Sequence, residues 1–363
     1  YNSGFSTETQ PSFSFTLSDP DDAESIGFRI QLRRNGTLVT DYTSALGSEG
    51  EQSFTVGQAA GSGTYNDSKG DVGQNLADGN YTWQVLAIDD SGATSSYTQA
   101  NSGSTAFSVD TTGPTTPGQP AAASSPTNDS TPTITWTAST DAGVGLHSTT
   151  PYTIEWCDSS DFSCDPLSSA TSATNSYTVS SELDDGTWYF RVRSTDSLSN
   201  SSSNSTTGTV EIDTAGPSVP GDPSTTTPTT DTTPTFTWTA SIDSESEEEV
   251  SAYTVQWCEA SNFVGCEANT DTTATNSDTF SLALANDTWY FKVKGEDDLG
   301  NESAFSNTSS VLIDNSAPTA PGNPSTSSPT NDTTPRWIWS VSTDAGVGLD
   351  YYEVQWCDNN SFT

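Results

Sequence analysis

Few residues in this 363-residue chain could do acid–base or nucleophilic chemistry. There is one histidine, His147, in the polar stretch "GLHSTT", against 48 acids and five cysteines. A serine or cysteine nucleophile needs a positioned base beside it, and nothing in the sequence places one next to His147. Paired carboxylates for glycoside chemistry sit in a cleft, whereas the acids here recur along the chain. The cysteines recur too, in "WCDSSDFSC", "WCEASNFVGC" and "WCDNNSFT". Each full copy offers two thiols seven or eight positions apart, where a structural zinc site wants four ligands. The spacing favours local disulfides Cys157–Cys164 and Cys258–Cys266 over metal. Cys357 then expects a partner beyond Thr363. No catalytic residue is assigned, and the expectation is a protein that is not an enzyme.

The charge balance narrows the partners. Nine Lys and Arg against 48 Asp and Glu give a net charge of −39. Such a surface disfavours nucleic acid and anionic membranes, since phosphate binding needs clustered basic groups. It favours divalent cations and basic partners. No apolar run reaches the roughly 18 residues of a membrane span. The chain contains no methionine, so Tyr1 reads as a processed or trimmed end. Paired cysteines in an acidic, Ser/Thr-rich chain point to an oxidising, extracellular or cell-surface setting.

The strands that carry these residues recur as repeats. "STPTITWTASTDAGVGL" returns as "TTPTFTWTASIDSES" and as "TTPRWIWSVSTDAGVGL". "YTIEWC" returns as "YTVQWC" and "YEVQWC", and "DDGTWYFRVRSTDSLSN" as "ANDTWYFKVKGEDDLGN". Proline-rich linkers "FSVDTTGPTTPGQP", "VEIDTAGPSVPGDP" and "VLIDNSAPTAPGNP" separate the copies. Within a copy, Ile134 and Trp136 share one face. Trp188, Phe190 and Val192 share another, with Arg191 and Arg193 opposite. Alternation with period two marks antiparallel strands solvated on one side. The reading is all-β: a tandem array of antiparallel β-sandwiches at 1–113 (without cysteines), 114–216 and 217–317, with an incomplete fourth at 318–363.

The early-strand Trp136 and Trp238, the approach Leu183, Gly186 and Thr187 to a late strand, and the linkers carry a resemblance. The chain resembles tandem fibronectin type III or bacterial immunoglobulin-like modules of secreted and surface proteins. The corner tyrosine of that pattern is Tyr81 in the first copy but Trp188 and Trp289 in the next two, and Gly186 is matched by Asp287. The sequence therefore leaves the corner hydrogen bond without support in those copies.

The resemblance also implies a ligand set. In such a sandwich the N-terminus of each module lies at the end that carries two of its loops. Asp110 should then approach Asp141 and Asp196, Asp213 should approach Asp243 and Asp297, and Asp314 should approach Asp344. Converging carboxylates and carbonyls suit calcium; hydrated turn caps are the alternative. Eleven Asn-x-Ser/Thr sequences are candidate glycosylation acceptors: Asn35, Asn66, Asn80, Asn128, Asn200, Asn204, Asn286, Asn301, Asn307, Asn331 and Asn359.

The expected role is mechanical: a stalk, adhesin shaft or filament subunit that self-associates, with a carbohydrate or cell-surface ligand as a further partner. The alternative is a set of spacer or carbohydrate-binding modules of a large secreted enzyme.

Overall fold

The computed structural model describes residues 4–20, 25–243 and 250–358. They fall into two compact units. One holds the residues up to Ser125 with Thr131–Glu182 and Thr187–Glu211; the other holds Pro126–Ser130, Leu183–Gly186 and the residues from Ile212 on. Among the described residues the regular structure is β apart from a short turn of 3-10 helix at Ala100–Gly103.

The first sandwich is built from β1 (Phe5–Ser6), β2 (Ser12–Leu17), β3 (Gly27–Arg34), β4 (Thr37–Thr43), β5 (Gly50–Thr55), β6 (Thr64–Tyr65), β7 (Gly79–Ile88), β8 (Thr98–Gln99) and β9 (Phe107–Val109). One sheet runs β1-β9-β7-β3-β4-β6, with β8 on β7, and β2 pairs with β5 in the other. Strand β2 shows why the chain folds this way: Phe13 and Leu17 are buried while Ser12, Ser14 and Thr16 are exposed. The core gathers Phe13, Ile30, Leu32, Phe54, Tyr81 and Phe107. Each such side chain contributes about 1.5–3 kcal/mol on burial. A tight turn at Asn35 and Gly36, both with positive φ, joins β3 to β4. Farther along the same strand pair the fully buried Asp41 accepts two hydrogen bonds from Arg29, at 2.8 Å and 2.6 Å, and one from Gln31 at 2.8 Å.

The next repeat forms β10 (Thr133–Thr135), β11 (Tyr152–Cys157), β12 (Ser168–Ser172), β13 (Ser176–Thr178), β14 (Gly186–Ser194) and β15 (Gly208–Ile212). Strand β10 pairs with β13, and the second sheet runs β12-β11-β14-β15. The third forms β16 (Thr235–Thr237), β17 (Ala252–Cys258), β18 (Thr270–Thr273), β19 (Ser277–Thr279), β20 (Thr288–Glu296) and β21 (Ser309–Leu312), in the same order. Phe190 and Val192 are buried and Arg193 is exposed, as the alternation requires. A single bridge, Ala121 to Thr135 and Ser224 to Thr237, adds the entering segment to each smaller sheet. The entering segment also meets the last strand in parallel, at Phe5–Ser6 with Ser108–Val109, Thr127 with Ile212, and Thr229 with Ile313. This connectivity is that of an immunoglobulin-like, fibronectin III-like sandwich.

Two local devices recur with different residues. The Tyr81 hydroxyl donates to the Ala77 carbonyl at 2.6 Å, and the Trp289 indole Nε1 donates to the Ala285 carbonyl at 3.0 Å. The corner bond that the sequence left unsupported in the third copy is thus made by a tryptophan. In residues 318–358 the Trp339 and Tyr352 rings lie 5.5 Å apart, matching Trp136 with Tyr152 at 5.4 Å. Trp337 and Trp356 there remain 47% and 82% exposed.

Candidate functional site

Each linker aspartate follows the last strand of a sandwich. Its backbone N–H ties that strand to the entering segment: Asp110 to the Ser6 carbonyl at 3.0 Å, Asp213 to Thr127 at 3.0 Å and Asp314 to Thr229 at 2.9 Å. These bonds hold the aspartates in place and bury them, to 2%, 1% and 8% exposure. The loop after β14 or β20 supplies the second acid. Asp196 Oδ1 accepts the N–H groups of Leu198 and Asn200, both at 2.8 Å. Asp297 Oδ1 accepts those of Leu299 and Asn301, at 2.9 and 2.8 Å. Aspartate side chains that bond backbone two and four residues on form compact turns.

Asparagine closes both arrangements. Asn200 Nδ2 donates to the Asp110 carbonyl at 3.1 Å and to Asp196 Oδ2 at 2.7 Å. Asn301 Nδ2 donates to the Asp213 carbonyl at 3.0 Å and to Asp297 Oδ2 at 2.8 Å. One amide therefore fastens the linker backbone to the loop of the sandwich that follows. The spacing Asp-x-x-x-Asn is present in "DSLSN" and "DDLGN", while in the sequence Asn200 and Asn301 match a glycosylation motif.

The third acid is Asp141 or Asp243. Asp110, Asp141 and Asp196 each offer a carboxylate oxygen, these atoms lying within 4.8 Å of one another, and so do Asp213, Asp243 and Asp297. Both triads expected from the resemblance are therefore brought together. Asp314 sits by Asp344, and the backbone N–H groups of Val347 and Ser316 hold its carboxyl below the usual carboxylate range. Such oxygen clusters have the chemistry to hold a hard cation. They equally accept amide donors, as Asp141 does from Gly143 at 3.1 Å and Gly145 at 2.7 Å.

The remaining candidates separate clearly. Cys157 is bonded to Cys164 and Cys258 to Cys266, while Cys357 is free and exposed. Each disulfide closes the turn that follows an "EWC" or "QWC" strand. His147 accepts the Thr150 N–H at Nδ1, at 3.2 Å, within its own loop. Among the glycosylation candidates, Asn66, Asn200 and Asn301 use both amide hydrogens internally. A glycan there would have to replace one of those hydrogens. Asn35, Asn80, Asn128, Asn286 and Asn307 are exposed, as are Asn204 and Asn331. Asn359 lies outside the described residues.

Fold and site together define a class: fibronectin III-like sandwiches in tandem, with a carboxylate cluster where a linker enters a module. No protein-family profile matches the chain. A stretch of 157 residues, 41% of this chain, is 36% identical to chitinase A1 of Niallia circulans and spans 20% of that protein. The chain thus covers about a fifth of the length of the curated relative it matches. Among solved structures, the crystal structure of chicken CNTN1 FN1-FN3 domains aligns with a TM-score of 0.34 and 13% identity, over 85% of this chain and 95% of that one.

Proposed function

We propose that this chain is a run of non-catalytic spacer modules in a secreted protein, built to hold other parts of that protein at a controlled separation. The observation that carries the reading is the repeated asparagine clamp. Asn200 and Asn301 each bind the carbonyl of a linker aspartate and the carboxylate of a loop aspartate. A spacer needs its linkers fixed, and a side-chain amide with both hydrogens engaged restricts the backbone at that point. Proline-rich linkers add to the restriction by fixing φ. Local disulfides fit an oxidising exterior.

Similarity to part of a chitinase supports the version in which the spacers belong to a large secreted enzyme over a self-assembling stalk. In the second and third sandwiches the aromatic residues Trp136, Trp238, Phe190 and Phe291 are buried, which supports spacing over sugar binding there. Calcium at a linker carboxylate cluster is part of the same proposal: a bound cation would draw the acids together and stiffen that joint. The test is retention on insoluble chitin and cellulose. A spacer passes through both. Retention that is lost on substituting an exposed aromatic residue would replace the spacer reading with a carbohydrate-binding one.

A further inference from the structure

Among the described residues, two of the three linker aspartates have an amide donor for each carboxylate oxygen, and one does not. Asp110 accepts the Thr112 N–H at Oδ1, at 3.3 Å, and the Val144 N–H at Oδ2, at 2.7 Å. Asp314 repeats this with Ser316 at 3.1 Å and Val347 at 2.7 Å. In both cases the donating loop reads Asp-Ala-Gly-Val-Gly, at 141–145 and 344–348. The loop comes this close only because Gly143 and Gly346 lack a side chain: a β-carbon at either would overlap the carboxylate of Asp110 or Asp314.

The middle copy departs from this sequence. After Asp243 the chain reads Ser-Glu-Ser-Glu-Glu-Glu, with Glu245 two positions on, where the other copies have glycine. Residues 244–249 lie outside the described residues, and a β-carbon placed as at Gly143 or Gly346 would meet the linker carboxylate. Asp213 Oδ1 keeps its bond from the Ala215 N–H at 3.2 Å. Asp213 Oδ2 is buried with no hydrogen-bond partner among the described residues, in a residue that is 1% exposed. A buried carboxylate oxygen without a donor is strongly disfavoured. Here it belongs to a triad whose oxygens lie within 4.8 Å, in the one copy where the sequence adds four glutamates within six residues. Added negative charge raises the local concentration of cations.

We propose that the Asp213, Asp243 and Asp297 cluster binds one hard divalent cation of the calcium type, and that the amide-satisfied clusters at Asp110 and Asp314 bind none. This rests on the reading that linker carboxylates respond to cations, and it assigns that response to a single joint. The ligands are carboxylate oxygens, which suit calcium over softer metals. In the other two copies backbone N–H dipoles already supply the positive charge that a cation would bring.

The experiment is calorimetric titration of the 363-residue chain with calcium chloride, on the native sequence and on Asp213→Asn, Asp110→Asn and Asp314→Asn. The expected result is one equivalent of calcium, an affinity at least tenfold weaker in Asp213→Asn, and no change in the other two variants. Two or three equivalents, or loss of binding in Asp110→Asn, would overturn the assignment and leave the cation reading standing. No heat and no binding by equilibrium dialysis in the native chain would defeat both. Circular dichroism checks folding. If Asp213→Asn does not fold, Asp243→Asn replaces it, and native-strength binding in that variant would overturn the proposal.

Discussion

The first sandwich and the two that follow solve the same problem differently. In the first, Asn35 and Gly36 turn β3 directly into β4, and Asp41 on β4 is held by Arg29 and Gln31 on β3. In the next two, the equivalent strands are separated by residues 158–167 and 259–269, and a disulfide draws in the near end of each connection. A two-residue turn needs no staple, because its backbone already matches the twist of the strands. A longer connection has more chain entropy to lose, so a cross-link that restricts the unfolded chain has more to contribute. The lesson is that loop length selects the means of closure: an ion pair where strands are tightly joined, a covalent bond where they are not.

That contrast can be broken most severely at Arg29. Arg29→Met leaves Asp41 buried without its cation, and the first sandwich should lose about 3 kcal/mol while the others keep their stability. Urea unfolding followed by proteolysis at separate sites would show which sandwich opens first. The pH dependence has a definite sign. Burial raises the Asp41 pKa, but hydrogen bonds from Arg29, Asn66 and Gln31 outweigh it and hold the carboxyl below its ordinary value. The stabilisation is therefore complete above the unfolded carboxylate pKa of about 3.9 and is lost as pH falls through the lower folded value.

The next effect comes from reduction. Opening loops of about eight residues should cost the second and third sandwiches about 2.5 kcal/mol each in the chain-entropy account. Calorimetry with and without a reductant should move their transitions and leave that of the first sandwich in place. Smaller again is the corner. Tyr81→Phe and Trp289→Phe each remove one donor to a backbone carbonyl and should each cost about 1 kcal/mol, measured by thermal unfolding. Equal losses would show that indole and phenol do the same work.

The smallest effect sharpens the comparison between the second and third copies. Tyr177 faces Ile134 across β10 and β13, and Asp278 stands at that position against Phe236. Burial, then the nearby Asp271, pushes the Asp278 pKa up. The folded state then binds its proton more tightly than the unfolded state does, so stability declines as pH rises from the unfolded carboxylate pKa of about 3.9 through the raised folded value. Asp278→Asn should stabilise the third sandwich by about 0.5 kcal/mol at neutral pH and have no effect in acid, as read by urea midpoints.

Much of this architecture could be read from the repeats. Period-two alternation placed Ile134, Phe190 and Val192 inside, and the cysteine spacing pointed to local pairs. The meeting of Asp110 with Asp141 and Asp196 followed from the resemblance, because it depends on which loops share an end of the sandwich. The roles of three features are not legible in the sequence, for physical reasons. Asp41 looks like any other acid in an acidic chain, and only strand pairing with Arg29 and the packing around it make it special. Asn200 and Asn301 matched a glycosylation motif, which conceals that the same amide can bind backbone. The exchange of glycine for Glu245 was visible in the aligned repeats. Its meaning depends on how closely Gly143 approaches Asp110, a distance that no sequence pattern carries.

The parallel bridge between entering segment and last strand has a consequence under tension. When a module is pulled by its two ends, Thr127 and Ile212, or Thr229 and Ile313, are drawn in opposite directions along their strands. The Asp213 N–H to Thr127 carbonyl bond at 3.0 Å and the Asp314 N–H to Thr229 carbonyl bond at 2.9 Å lie across that pull. Each belongs to its own module and is loaded there in shear, not by peeling. In a tether made of such modules, the seam between entering segment and last strand is where tension first reaches each sandwich.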